Sequence, residues 1–285
     1  VQGSKTFNGK INPNTRINLD EGSNLTIAAD KVNGLQVIGQ GNITVTDLKD
    51  DTNLDGLSNN GSKTIQVNED TNFKNKLPKD SVVQVSEGRK LKLSAEHASG
   101  NTISGNGNVE ITDLDKMEDA DLSKIINKGE KILKIEEDTD IRGTLPKDCT
   151  LQVDDGKKKT LRADKAHGNT IDGIGNVEIT DLDKKEDADL SKVRNTGDKN
   201  IKIDKDTNFI GNLPDNYSVT GNTDASFKSN GKTIEINEKQ TVASLNQKYN
   251  LNLNELAKSI NILDEQVTTA LGDNQDIISG LMNFT

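Results

Sequence analysis

The chain has 285 residues, no tryptophan, 2% aromatic, 31% hydrophobic and 29% charged residues, so its core must come from Val, Ile and Leu in thin layers rather than from large rings. Short alternating apolar runs such as VEIT, ILKI and LQV argue against the disorder that so polar a composition would otherwise suggest. A net charge of −10 with no polybasic stripe argues against nucleic acid as a partner.

In chain order, VQGSKTFNGK lacks a hydrophobic signal region, and no later stretch approaches the roughly 18–20 apolar residues of a membrane span. The segment FNGKINPNTRINL (Phe7 to Leu19) matches the second half of a unit that then recurs. The Asn before each strand-like run falls at Asn42, Asn108 and Asn176, in steps of 66 and 68 residues. A second landmark, NKLPKDSVVQV, GTLPKDCTLQV and GNLPDNYSVTG, steps by 68 residues through Leu77, Leu145 and Leu213. Between Gly100–Ile125 and Gly168–Val193, 22 of 26 positions are identical. Residues 1–237 therefore form a β repeat array, with units at about 29–94, 95–162 and 163–237 preceded by a partial unit.

Each unit carries several predicted strands, in the middle copy Asn108–Thr112, Ile132–Ile135, Thr150–Val153 and Lys159–Arg162. Glycines ahead of them (Gly105, Gly107, Gly173, Gly175) suit tight corners, and SAEHAS and RADKAH each suit one helical turn. Two mainly β architectures fit. One is a β-solenoid in which each unit makes about three coils of roughly twenty residues. The other is a row of small antiparallel modules, suggested by LQVDDGKKKTL with Asp-Gly at a hairpin tip. Residues 238–285 differ: Leu263, Val267, Leu271, Ile277, Ile278 and Leu281 mark amphipathic helices, read as a helical cap or the start of a second domain.

The pattern GNGNVEITDL followed by ADLSKI resembles β-strand repeats of very large bacterial secreted proteins, of the S-layer type and of type I-secreted adhesins. The resemblance implies an extracellular or cell-surface structural role without catalysis. Partners would be neighbouring copies or other domains of the same large protein, or a host or cell-wall glycan or protein. The glycine-rich calcium nonapeptide of repeat toxins is absent, since SGNGNVEIT lacks its aspartate. TVASLNQKYNLNLNELAKSINI (Thr241 to Ile262) is similar to the helices of a LysM module, with KTIEIN as its first strand, although Gln240 stands where the family has glycine.

Candidate chemistry is sparse. His97 aligns with Lys165, His167 with Ser99, and the single cysteine, Cys149, with Ser81 and Tyr217, so none belongs to the repeated pattern. No nucleophile–base pair is indicated, and no enzyme is expected. The acidic runs DLDKMEDADL and DLDKKEDADL offer Asp113, Asp115, Asp119 and Asp121, then Asp181, Asp183, Asp187 and Asp189, as calcium ligands. The competing reading makes them turn and cap residues, with lysines between them opposing a dense cation site.

Overall fold

Alternating aliphatic and polar residues give each short strand one apolar face, which stacking covers. In the computed structural model, which describes residues 1–254 apart from Pro13, Thr223 and Asn237, parallel strands stack into a β-solenoid of about 11 turns. The predicted helices beyond Asn254 lie outside the described residues. The chain divides into two compact units. The first comprises Val1–Leu161, Asn169–Val177 and Arg194–Gly197; the second comprises Arg162–Gly168, Glu178–Val193 and the chain from Asp198.

Two six-stranded sheets form most of the first unit. One runs from Ser4–Phe7 through Asn24–Ala28, Asn42–Thr46, Lys63–Val67 and Val82–Val85 to Thr102–Gly105. The other runs from Thr71–Asn72 through Lys90–Ser94, Asn108–Thr112, Lys131–Ile135 and Thr150–Val153 to Thr170–Gly173. The register explains the repeat length. Lys5 pairs with Leu25, Leu25 with Ile43 and Ile43 with Lys63, which makes three coils. The strand Lys63–Val67 is then followed by Thr71–Asn72, which belongs to the next sheet. There the series starts again, Thr71 to Leu91, Val109 and Lys131, and a third time with Thr139 on Lys159. One repeat is thus three coils plus one further strand, and equivalent residues of successive copies lie on successive sheets.

This register refines one expectation and corrects another. A unit of about three coils carries one further strand, and LQVDDGKKKTL is no hairpin. Thr150–Val153 pairs in parallel with Ile132–Ile135 and Thr170–Gly173, whereas the following strand pairs in parallel with Thr139–Asp140. Asp155-Gly156 therefore turns a corner from one sheet to another. The predicted strands and one-turn helices are present, the latter at Ala95–Ala98 and Ala163–Ala166, and a further one-turn helix lies at Ala29–Val32, each with its alanines buried.

Inward aliphatic residues such as Ile27, Val45, Ile65, Val83, Leu93 and Ile111 form the core, each no more than 1% exposed. Gly105 has φ +100°, and a Cβ there would stand 2.2 Å from the Val85 carbonyl oxygen. Only glycine lets one coil approach the next so closely at that corner.

In the second unit Lys199–Ile203 pairs in parallel with Ser218–Gly221, and Thr207–Phe209 with Phe227–Ser229. The direction then reverses. Lys232–Ile234 is antiparallel to Phe227–Ser229, and Gln240–Thr241 is antiparallel to Ser218–Val219. Helix α1, Val242–Tyr249, follows, with Thr241 Oγ1 accepting from the Ser244 N–H at 3.1 Å. Among the described residues no helix is long and apolar enough to cross a membrane.

Candidate functional site

The acidic runs occupy the corners after the strands Asn108–Thr112 and Asn176–Thr180. Asp113 and Asp181 take left-handed backbone, with φ of 56° and 53°, as does Asp47 in the first copy. Short polar side chains tolerate that conformation because they hydrogen-bond locally. Asp113 accepts from Thr112 Oγ1 at 2.9 Å and from Lys116 Nζ; Asp181 accepts from Thr180 Oγ1 at 3.0 Å. Lys116, assisted by Thr112, holds the Asp113 carboxyl below the usual carboxylate range. Asp121 and Asp189 each accept the N–H two residues on, from Ser123 at 3.1 Å and Ser191 at 3.0 Å, closing the turn expected of ADLS. Asp183 and Asp187 pair with the adjacent lysines Lys184 and Lys185. Asp115 is half-buried and Asp119 is exposed.

These bonds recur copy by copy. Asp50, Glu118 and Glu186 accept the N–H of Asn72, Asp140 and Asn208 from the following coil. Asp70, Asp138 and Asp206 do the same for Lys90, Lys158 and Ser226. Asn33, Ser99 and His167 all accept, through different side-chain atoms, the N–H of Asn53, Asp121 and Asp189. His167 thus fills an acceptor position that serine and asparagine fill elsewhere. Cys149, like Ser81 and Tyr217, lies fully inside, where burial pushes its thiol up to about 12. Among the described residues no group of three or more His, Cys, Asp and Glu side chains is arranged to hold a metal ion.

No family model, curated protein or solved structure matches the chain. The site must therefore be sought where the copies differ.

One such place is a cavity of about 320 Å³ beside His97, lined by Asn72, Lys74, Ser94, Glu96, Asp113 and Lys116. In the next copy Arg162 stands at the position of Ser94 and forks onto Asp164 at 3.0 and 2.9 Å. The short Ser94 side chain leaves that volume open. His97 Nδ1 is shielded from solvent and has no hydrogen-bond partner, an unusual state for a buried polar atom. Sequence comparison flagged His97 only as non-repeating; the missing signal was the small residue three positions before it.

Beyond the cavity, Glu110, which recurs as Glu178 in the third copy and is Thr44 in the first, has a side chain that is 6% exposed. It meets Lys90 directly, with Lys92 at 3.4 Å and Lys134 at 3.9 Å. Burial pushes its carboxyl up, but Lys90, followed by Lys134 and Lys92, outweighs that and holds it below the usual range. A second departure is Lys159, fully buried at a position that is Leu25, Leu91 and Phe227 in the other copies. Burial pushes its amine down to about 7.

Proposed function

We propose that this chain is a non-catalytic structural segment of a bacterial secreted or cell-surface protein, serving as a spacer, stalk or lattice element. What supports the reading is that the same positions in successive copies make the same coil-to-coil hydrogen bonds, as at Asp50, Glu118 and Glu186. What the repeat preserves is stacking, while His97, Cys149 and Lys159 vary from copy to copy. The neighbours of such a segment are further copies or other domains of the same protein.

Two measurements test this. Strands in adjacent coils are about 4.8 Å apart, so duplicating residues 95–162 lengthens the stack by about 16 Å, read as the distance between spin labels either side of the insertion. An unchanged distance refutes the spacer role. Antibody labelling of intact source cells should find the protein outside; purely cytosolic protein refutes the location.

The cavity beside His97 favours a second reading, a binding module for a glycan or protein, because its lining departs from the repeat. Glycan-array binding that His97→Lys abolishes, using the residue of the next copy, would decide for it.

A further inference from the structure

The strands that begin at Thr139 and Thr207 each rest on an acidic corner of the preceding coil. The N–H groups of Asp140 and Asn208 donate to Glu118 and Glu186 Oε1 at 3.3 and 2.7 Å. Two residues on, Arg142 and Ile210 donate to the backbone carbonyls of the same glutamates, at 2.8 and 2.9 Å. Two further on, Thr144 and Asn212 donate to the carbonyls of Ala120 and Ala188, at 3.1 and 2.8 Å. Gly143 and Gly211 lie between these donors, and a Cβ there would stand 2.1 and 2.2 Å from the two alanine carbonyl oxygens. The first copy's corner is shorter, Asp47 to Leu54 against Asp113 to Leu122. Over it Asn75 takes the glycine position and donates to the Thr52 carbonyl at 3.2 Å. Glycine therefore goes with the longer, E-D-A-D-L corner, whose backbone presses on the strand.

Ser4–Phe7 is the first strand of this series, since Lys5 pairs with Leu25 as Thr139 pairs with Lys159 and Thr207 with Phe227. Thr6, Asn8, Gly9 and Lys10 thus stand where Asn208, Ile210, Gly211 and Asn212 stand in the last. Here the strand is the edge of its sheet, and an edge presents a row of backbone groups ready for pairing. Thr6, Asn8, Gly9 and Lys10 are exposed and Phe7 is half-buried, whereas Phe73 and Phe209 are 2% and 0% exposed. The three atoms nearest a Cβ built at Gly9 all belong to the Phe7 ring. Among the described residues, then, no backbone makes the close approach that Gly143 and Gly211 meet. The face is also basic: residues 1–11 include Lys5 and Lys10 and no acidic residue.

From these observations we infer that residues 4–11 form a docking surface for an acidic corner of the E-D-A-D-L kind, carried by a further repeat unit joined ahead of Val1. The glutamate of that corner takes the Thr6 N–H with its side chain and the Asn8 N–H with its carbonyl. The alanine carbonyl takes the Lys10 N–H and seats itself over Gly9, and Phe7 is covered as Phe73 and Phe209 are. A second copy of this chain has its Glu118 and Glu186 corners engaged within itself, so the occupant is a unit that continues the stack. This inference rests on the reading of the chain as one segment of a longer array. The two can fail separately, because duplicating residues 95–162 tests that reading without touching this face.

The test joins a duplicate of residues 135–202 ahead of Val1 in the whole chain. This sets the duplicate's Glu186 as far before Thr6 as Glu186 stands before Asn208. Amide hydrogen exchange is then compared between the parent and the extended chain. Exchange at Thr6, Asn8 and Lys10 should slow at least about tenfold on extension. Glu186→Ala within the duplicate should restore exchange most at Thr6, whose partner is the side chain. Gly9→Ala should abolish protection at all three amides of the extended chain, while the parent, whose Gly9 is exposed, should melt as before. Unchanged exchange at the three amides, whether or not the duplicate is itself protected, overturns the inference. Protection that survives Gly9→Ala does so as well. Concentration-dependent dimerisation of the parent that protects the same amides also overturns it, by making a second copy the occupant.

Discussion

The Lys159 ammonium nitrogen lies inside the solenoid and donates to the carbonyl oxygen of Thr139, its register partner on the preceding coil. Asp140 and Glu118 are the charged groups that favour its protonated form, and burial outweighs both. A lone amine at a position built for leucine costs stability wherever the unfolded chain would be protonated.

Replacing it with the residue of the preceding copy, Lys159→Leu, should therefore raise stability by on the order of 3–5 kcal/mol at neutral pH. The sign follows from proton binding. Between about 7, the folded value, and 10.5, the ordinary value, the unfolded chain holds the extra proton. Wild-type stability then rises with pH across that window, and the advantage of leucine narrows. Urea melts of both chains from pH 6 to 10.5 check this; a gap that does not change with pH defeats the explanation.

Glu110→Gln should act in the opposite direction. Three lysines around a carboxylate with a 6% exposed side chain are left facing one another, a loss of about 1–3 kcal/mol at pH 7. The carboxyl is held below its ordinary value, so its contribution is present above that value and fades as pH falls through the lowered one. Thermal melts of the two proteins should converge in acid.

Two glycine substitutions separate conformational strain from collision. Gly105→Ala and Gly88→Ala both place a side chain at positive φ, +100° and +70°. At Gly88 nothing lies within 4 Å, whereas at Gly105 the new Cβ meets the Val85 carbonyl. The first should cost about 1–2 kcal/mol, and the second at least about twice that, because coil spacing itself must give. Similar melting temperatures for the two variants would count against this account of the corner.

Asp121→Ala removes the acceptor of the Ser123 N–H and should lower stability by about 1 kcal/mol. On the turn-and-cap reading that loss is the same with millimolar calcium or with a chelator. If calcium instead raises the melting temperature of the parent chain by several degrees and Asp121→Ala removes that gain, the aspartates are ligands.

The period of the array, its strands and its one-turn helices were legible because they are local: alternation, a glycine at a corner, an alanine pair. The extra strand in each repeat was not legible. It depends on which strand each one pairs with, as when Ile43 meets Lys63 while Thr71 meets Leu91, and pairing leaves no mark in spacing alone. Asp155-Gly156 misled for the same reason, since a corner between sheets and a hairpin tip use the same turn residues. The acidic runs were half legible. The turn at Asp121 could be read from ADLS, but the reach of Glu118 to the next coil could not. The opening beside His97 lay in a difference between copies, at Ser94, that looks like ordinary surface variation until neighbours are placed around it.

A repeat of three coils and a strand works like a spiral staircase whose landings do not line up. The corner at Asp47 follows a strand of the first sheet, and its twin at Asp113 follows a strand of the second. A molecule recognising that shared corner cannot run straight along the array from copy to copy; it must approach each from another side. Within the first unit, identical motifs thus follow different sheets rather than ranking in a row along one.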